Sequence, residues 1–244
     1  MRLIDTSTLE LIWFPKAPPP YAILSHTWGL DEVTFADFTN VPKRESKAGF
    51  SKIKQTCKQA LKDGLSYAWV DTCCINKESS SELSEAINSM FRWYRDAAIC
   101  YAYLEDVPEE TNSSITNSSL INHCRWFTRG WTLQELLAPW DIVFFAANWA
   151  TIGRKTGLGA TIEQITGIPR AILTGDSRLD QVSVASRMNW AAKRQTTREE
   201  DIAYCLMGVF DVNMPMMYGE GKKAFIRLQE EILRQTEDDS LFAW

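Results

Sequence analysis

The feature that most constrains this chain is an alternation. Four short apolar runs, at residues 21–26, 67–71, 97–104 and 140–145, are separated by stretches with helical periodicity. Between the first two runs, residues 50–63 place Ile53, Cys57, Ala60 and Leu61 on one stripe, with Gly64 as the stop. Between the second and third, residues 81–96 do the same with Leu83, Ile87, Met90, Phe91 and Tyr94. Strand, helix, strand, helix, strand, helix, strand predicts a parallel sheet flanked by helices. Residues 1–14 can supply one or two edge strands, followed by Pro15 and the stiff Pro18-Pro19-Pro20 spacer.

Open α/β sheets bind ligands at the carboxyl ends of their strands. The first run ends in Ser25-His26-Thr27-Trp28-Gly29 and the second in Asp71-Thr72-Cys73-Cys74-Ile75-Asn76-Lys77. Ser25, His26, Trp28, Asp71 and Asn76 are therefore placed where a ligand would sit. The plainer alternatives are a satisfied, partly buried His26 and an Asx turn or cap at Asp71.

Before the fourth run stands Arg129-Gly130-Trp131-Thr132-Leu133-Gln134-Glu135-Leu136-Leu137-Ala138-Pro139. It reads as a short helix with Thr132 as N-cap and Pro139 as terminator. Leu133, Leu136 and Leu137 share one face; Trp131 and Glu135, four apart, lie together on the other. A carboxylate held against an indole is costly to ionise, a frequent arrangement for a catalytic acid or a cation stabiliser. The competing account is an amphipathic helix with Glu135 in water.

Residues 1–148 read as the α/β core. Residues 149–244 read as a mostly helical extension, with a short strand near 150–152 and helices near 157–166, 182–193, 198–209 and 221–236. Within it, Gly219-Glu220-Gly221-Lys222-Lys223-Ala224 matches G-x-G-x-x-A, but a proline precedes it and no strand follows. A turn leading into a helix explains it better than a phosphate loop.

Composition narrows the functions. Lys+Arg number 26 against 31 Asp+Glu, a net charge of -5, which gives no sign of nucleic-acid binding. No signal peptide is expected, because no basic stretch leads into an apolar one at the N-terminus, and no apolar run is long enough to span a membrane. The six cysteines form no C-x-x-C pair and the histidines number 2, so no metal site is expected. Reduced, buried thiols point to a cytoplasmic protein. Residues 105–122 form a polar, Ser/Asn-rich stretch expected to be mobile. Its sequons at Asn112 and Asn117 read as loop rather than glycosylation sites.

Three blocks go beyond this generic reading: residues 21–29 (YAILSHTWG), 69–76 (WVDTCCIN) and 129–135 (RGWTLQE). Together with 196–204 (TTREEDIAY) and 214–221 (MPMMYGEG), they resemble the HET domain of fungal heterokaryon-incompatibility proteins. The resemblance implies a cytosolic module that triggers cell death on sensing non-self, often at the N-terminus of a longer receptor. The ending at Leu241-Phe242-Ala243-Trp244 fits a fragment or a short stand-alone member.

The HET pattern is in turn similar to the TIR domain, a flavodoxin-like fold, although the extension after residue 148 is not TIR-like. Residues 131–136 resemble the TIR W-C-L-x-E-L segment, with Thr132 in place of Cys. The likeness implies that Glu135 is the catalytic residue of an NAD hydrolase. Ser25, His26, Asp71 and Asn76 would bind ribose or phosphate, Trp28 or Trp131 would stack on a base, and Arg129 would offset phosphate charge. NAD is then substrate, with no cofactor or metal, and self-association is expected. The alternatives are a non-enzymatic death-signalling and oligomerisation module, or a nucleotide sensor without turnover.

Overall fold

The computed structural model describes residues 1–108 and 121–243. The two sequons and most of the expected polar loop lie outside the described residues. Seven strands form one sheet: β1 (Arg2–Asp5), β2 (Leu11–Trp13), β3 (Ala22–His26), β4 (Tyr67–Trp69), β5 (Ile99–Tyr103), β6 (Ile142–Phe145) and β7 (Thr151–Arg154). Their order across the sheet is β2-β1-β4-β3-β5-β6-β7. The inner four, β4, β3, β5 and β6, are parallel and correspond to the four apolar runs of the sequence. The outer pairings are antiparallel, β2 and β1 on one edge and β7 on the other.

Counted in chain order, the parallel strands lie second, first, third, fourth. The chain therefore winds one way from β3 to β4 and the other way from β5 to β6. That reversal opens a crevice at the carboxyl ends of β3 and β5, the usual ligand position in such sheets. These two strands pair along five residues, from Ala22 with Ile99 to His26 with Tyr103. All five residues of β3 are buried, so its polar end, Ser25 and His26, is sealed inside the molecule. Burial of that kind has to be answered by hydrogen bonds, and those bonds build the site.

Several elements differ from the sequence reading. Thr132 is not an N-cap: it is the first residue of the Thr132–Leu137 helix, and its hydroxyl donates backward to the carbonyls of Trp126 and Arg129. The helix expected over 198–209 is two short ones, Asp201–Tyr204 and Met207–Phe210. The chain turns between them so that Gly208 lies directly on Phe91, where an added Cβ would come within 2.2 Å of the Phe91 Cβ. The short strand expected near 150–152 is present as β7, and it joins the edge of the sheet beside β6. Helices follow from Gly159–Thr166 onward. Among the described residues no helix is long and apolar enough to cross a membrane.

Candidate active site

The Thr132–Leu137 helix is buried on nearly every side, including Thr132, Gln134 and Glu135. It packs on β3 and the Ser80–Asp96 helix from one side and on the Met207–Phe210 helix from another. Glu135 is 7% exposed, so the account that puts it in water fails. Its Oε2 accepts a hydrogen bond from Ser25 Oγ, and Ser25 Oγ accepts one from Trp126 Nε1 at 2.8 Å. The indole thereby fixes which way the serine donates: its one proton goes to the carboxylate. Tyr94 donates to the carbonyl of Leu24 at 2.9 Å beside them.

Burial pushes the Glu135 carboxyl up to about 8, and the negative charge of Asp71 adds to the rise. Hydrogen bonds from Ser25 and Tyr94 and the charge of Arg194 oppose it. Burial likewise lowers Arg194 to about 10. Arg194 Nη1 donates to the Arg129 carbonyl and to Thr132 Oγ1, both at 3.0 Å, which ties the start of the glutamate helix to the C-terminal half.

Above Glu135 opens a cavity of about 440 Å³, within the usual range for small-molecule sites, roughly 300–1,000 Å³. At its mouth, Asp71 Oδ1 lies 3.1 Å from His26 Nε2. Asp71 Oδ2 accepts from Trp28 Nε1 at 3.0 Å and from Lys77 Nζ at 3.3 Å. Burial works against the Asp71 charge, but Lys77 and His26 outweigh it and hold the carboxyl well below the usual range. The Lys77 ammonium sits 3.5 Å from the centroid of the half-exposed Trp28 ring, presenting an aromatic face and a cation together. Arg125 donates to Thr27 Oγ1 at 2.9 Å from the same rim.

The opposite wall comes from the C-terminal half. Gly130 donates to the Gln195 carbonyl at 2.9 Å, and Gln195 donates to that of Thr128 at 2.7 Å. Only a glycine fits: a Cβ at residue 130 would stand 2.5 Å from Thr196 Cγ2 and 3.1 Å from Cys205 Sγ. Across this seam Arg129 Nη2 donates to Thr197 Oγ1 at 2.8 Å. Beyond it Arg198 covers the Tyr218 ring at 4.4 Å, and Tyr218 donates to Asp201 Oδ1 at 3.0 Å. Burial raises the Asp201 carboxyl, while hydrogen bonds from Trp131 and Tyr218 oppose the rise.

A family model described as "Heterokaryon incompatibility protein (HET)" matches residues 21–119. The likeness extends well past that segment. The vegetative incompatibility protein HET-E-1 of Podospora anserina is 53% identical over 220 residues, 88% of this chain. The chain belongs to the HET family. It spans 16% of the length of that relative. A domain of unknown function (DUF8212) matches residues 223–244 of the HET chain. No solved structure matches it.

Of the residues the sequence singled out, this HET fold brings His26, Trp28, Asp71, Arg129, Trp131 and Glu135 to the walls of one cavity. Ser25 stands behind Glu135 as its hydrogen-bond donor. Asn76 does not line the cavity: its backbone N–H donates to Glu82 and its side-chain oxygen accepts from the Glu78 N–H, so it shapes the turn into the next helix. Sequence reasoning missed Arg125, Thr197, Arg198, Asp201 and Tyr218, which also line the cavity. Thr197, Arg198, Asp201 and Tyr218 lie in the two C-terminal blocks that carried the family resemblance, and that was their only signal. The G-x-G-x-x-A match is a turn whose amides are already taken. Gly219 and Gly221, both with positive φ, donate to Glu200 Oε1 at 2.7 and 3.1 Å. All six cysteines are free and buried.

Proposed function

We propose that this HET chain is an effector of non-self recognition and cell death, and that it acts by cleaving the nicotinamide–ribose bond of NAD. The observation that carries the reading is Glu135: a carboxylate at the floor of a cavity, buried, oriented by Ser25, and overlooked by aromatic rings and cations. In the reaction the bond between the nicotinamide nitrogen and ribose C1′ breaks, and its electron pair leaves with nicotinamide. Positive charge develops on the ribosyl ring, as in glycoside hydrolysis. The leaving group is cationic at the start, so no strong acid is required. Glu135 faces the developing charge and stabilises it in a site shielded from water. Water adds to C1′ and releases a proton, giving ADP-ribose.

The raised pKa fits this role. With its carboxyl at about 8, the empty site is mostly neutral at pH 7. A pyridinium ring bound next to Glu135 favours the carboxylate, so the substrate helps to generate the charge that destabilises its own bond. Trp28 and Trp131 offer faces for the bases, and Arg125, Arg129 and Arg198 offer charge to the pyrophosphate. No metal takes part in this scheme. The chain would work in the cytoplasm, self-associated or joined to further receptor domains.

The test is NAD consumption by purified, concentrated protein beside Glu135→Gln, with products followed by chromatography. The expected result is nicotinamide release that falls about 100- to 1,000-fold in the folded variant, the order of loss when a transition-state-stabilising group is removed. Absence of turnover at every concentration, including in assembled protein, would leave a non-enzymatic death-signalling module.

A further inference from the structure

A second cavity, of about 260 Å³, lies past the end of the Glu135 helix. Its floor is apolar, with Leu137, Pro139, Ile172 and Leu173. Two cationic side chains line it, Lys155 and Arg95, and no acidic one does; Arg95 is paired with Asp96 at 3.0 Å, which leaves Lys155 as the charge that faces the apolar floor. Lys155 is 2% exposed. Its ammonium donates to the carbonyls of Pro139 and Leu136, the latter at 3.4 Å, and no carboxylate pairs with it among the described residues. Two carbonyl partners leave one of its three protons unspent. A buried ammonium whose hydrogen bonds go only to carbonyls is costly, and burial lowers its pKa to about 8, with Cys100 and the more distant Asp141 opposing the fall. Over the cavity Trp140, 78% exposed, lies against Gly175, where a Cβ would come within 3.2 Å of the ring.

A cation at the bottom of an apolar pocket with an aromatic roof defines a ligand: a small acid with one carboxylate and a flat or short apolar body. We propose that this cavity is a second binding site, for a small apolar monocarboxylate whose anionic end pairs with Lys155 and whose body lies under Trp140. The Lys155 ammonium also binds the Leu136 carbonyl at the carboxyl end of the Glu135 helix. The proposal stands apart from NAD cleavage, because binding is read without NAD.

The probe is benzoate, with benzyl alcohol as its neutral counterpart, titrated into the purified chain by calorimetry and saturation-transfer NMR. Saturable one-to-one binding of benzoate is expected, at least tenfold weaker for benzyl alcohol. Ser177→Trp places an indole at the exposed rim of the cavity and should weaken benzoate at least tenfold without touching the core. Lys155→Met should do the same; if it does not fold, Ser177→Trp and the alcohol comparison decide. The proposal is overturned if wild type shows no saturable benzoate binding, or if the alcohol binds as tightly. It is equally overturned if Ser177→Trp keeps wild-type affinity while Arg129→Gln loses it, since benzoate would then occupy the first cavity.

Discussion

Glu135 at the floor of the main cavity and Asp71 at its mouth are carboxylates of the same α/β half, yet their environments drive them apart. Both are opposed by burial. At the floor nothing cationic touches the carboxylate directly; it meets the neutral hydroxyls of Ser25 and Tyr94 and only the more distant charge of Arg194, and its pKa climbs to about 8. At the mouth Lys77 and His26 touch Asp71, and its pKa falls. The difference separates a group whose charge can be switched on by a bound cation from one whose charge is permanent and holds the rim together.

The strongest way to break this comparison is to titrate stability. Because folding raises the Glu135 pKa from 4.5 to about 8, the folded state binds a proton that the unfolded state has released. Wild-type stability contributed by this group is therefore present below pH 4.5 and lost as pH rises to about 8. Glu135→Gln removes the loss. Urea unfolding should find the variant more stable than wild type by a few kcal/mol at pH 9, and about equal at pH 4. Equal curves at both pH values would mean that burial does not govern Glu135.

Next in size is the seam that brings the C-terminal wall to the floor. Gly130→Val should cost about 3 kcal/mol in the same assay, because Thr196 and Cys205 must both move. Under the proposed reaction it should also raise KM for NAD far more than the mouth variants do. At the floor itself, Trp126→Phe takes the donor from Ser25 Oγ and lets the serine proton wander. It should cost about 1–2 kcal/mol and move the basic limb of the pH–rate profile. The smallest effect is expected at the mouth. Asp71→Asn should change stability by about 1 kcal/mol at pH 7, since two of its three partners, Lys77 and Trp28, are partly exposed and the amide can still meet the buried His26. The sign of its pH dependence is opposite to that of Glu135: a lowered native pKa stabilises above pH 3.8 and is lost as acid is added. Asp71→Asn should therefore unfold less steeply in acid than wild type.

The core and the mouth were more legible in the sequence than the floor was. Four continuous apolar runs announce the parallel strands because strands covered on both faces need no polar alternation. Ser25, His26 and Asp71 could be placed because they end two of those runs. The burial of Glu135 could not be read, since Thr132, Gln134 and Glu135 are polar residues enclosed by elements that arrive from distant parts of the chain. Local periodicity assigns such residues to solvent. For the same reason Thr132 looked like a cap, when tertiary packing uses its hydroxyl to bind carbonyls in the preceding turn. The C-terminal wall was invisible to periodicity. Its short helices and turns carry side chains into the cavity without forming a repeating stripe.

The seam at Gly130 also bears on the order in which the molecule comes into being. A ribosome delivers β1 to β6, Ser25 and Glu135 first, and the segment from Arg194 to Tyr218 only afterwards. Until that segment docks, Trp131 lacks Asp201, Arg129 lacks Thr197, and the glutamate helix lacks Arg194. A nascent chain therefore holds Glu135 in a half-built chamber. Under the proposed activity, which would harm its own cell, the direction of synthesis would itself act as a safeguard.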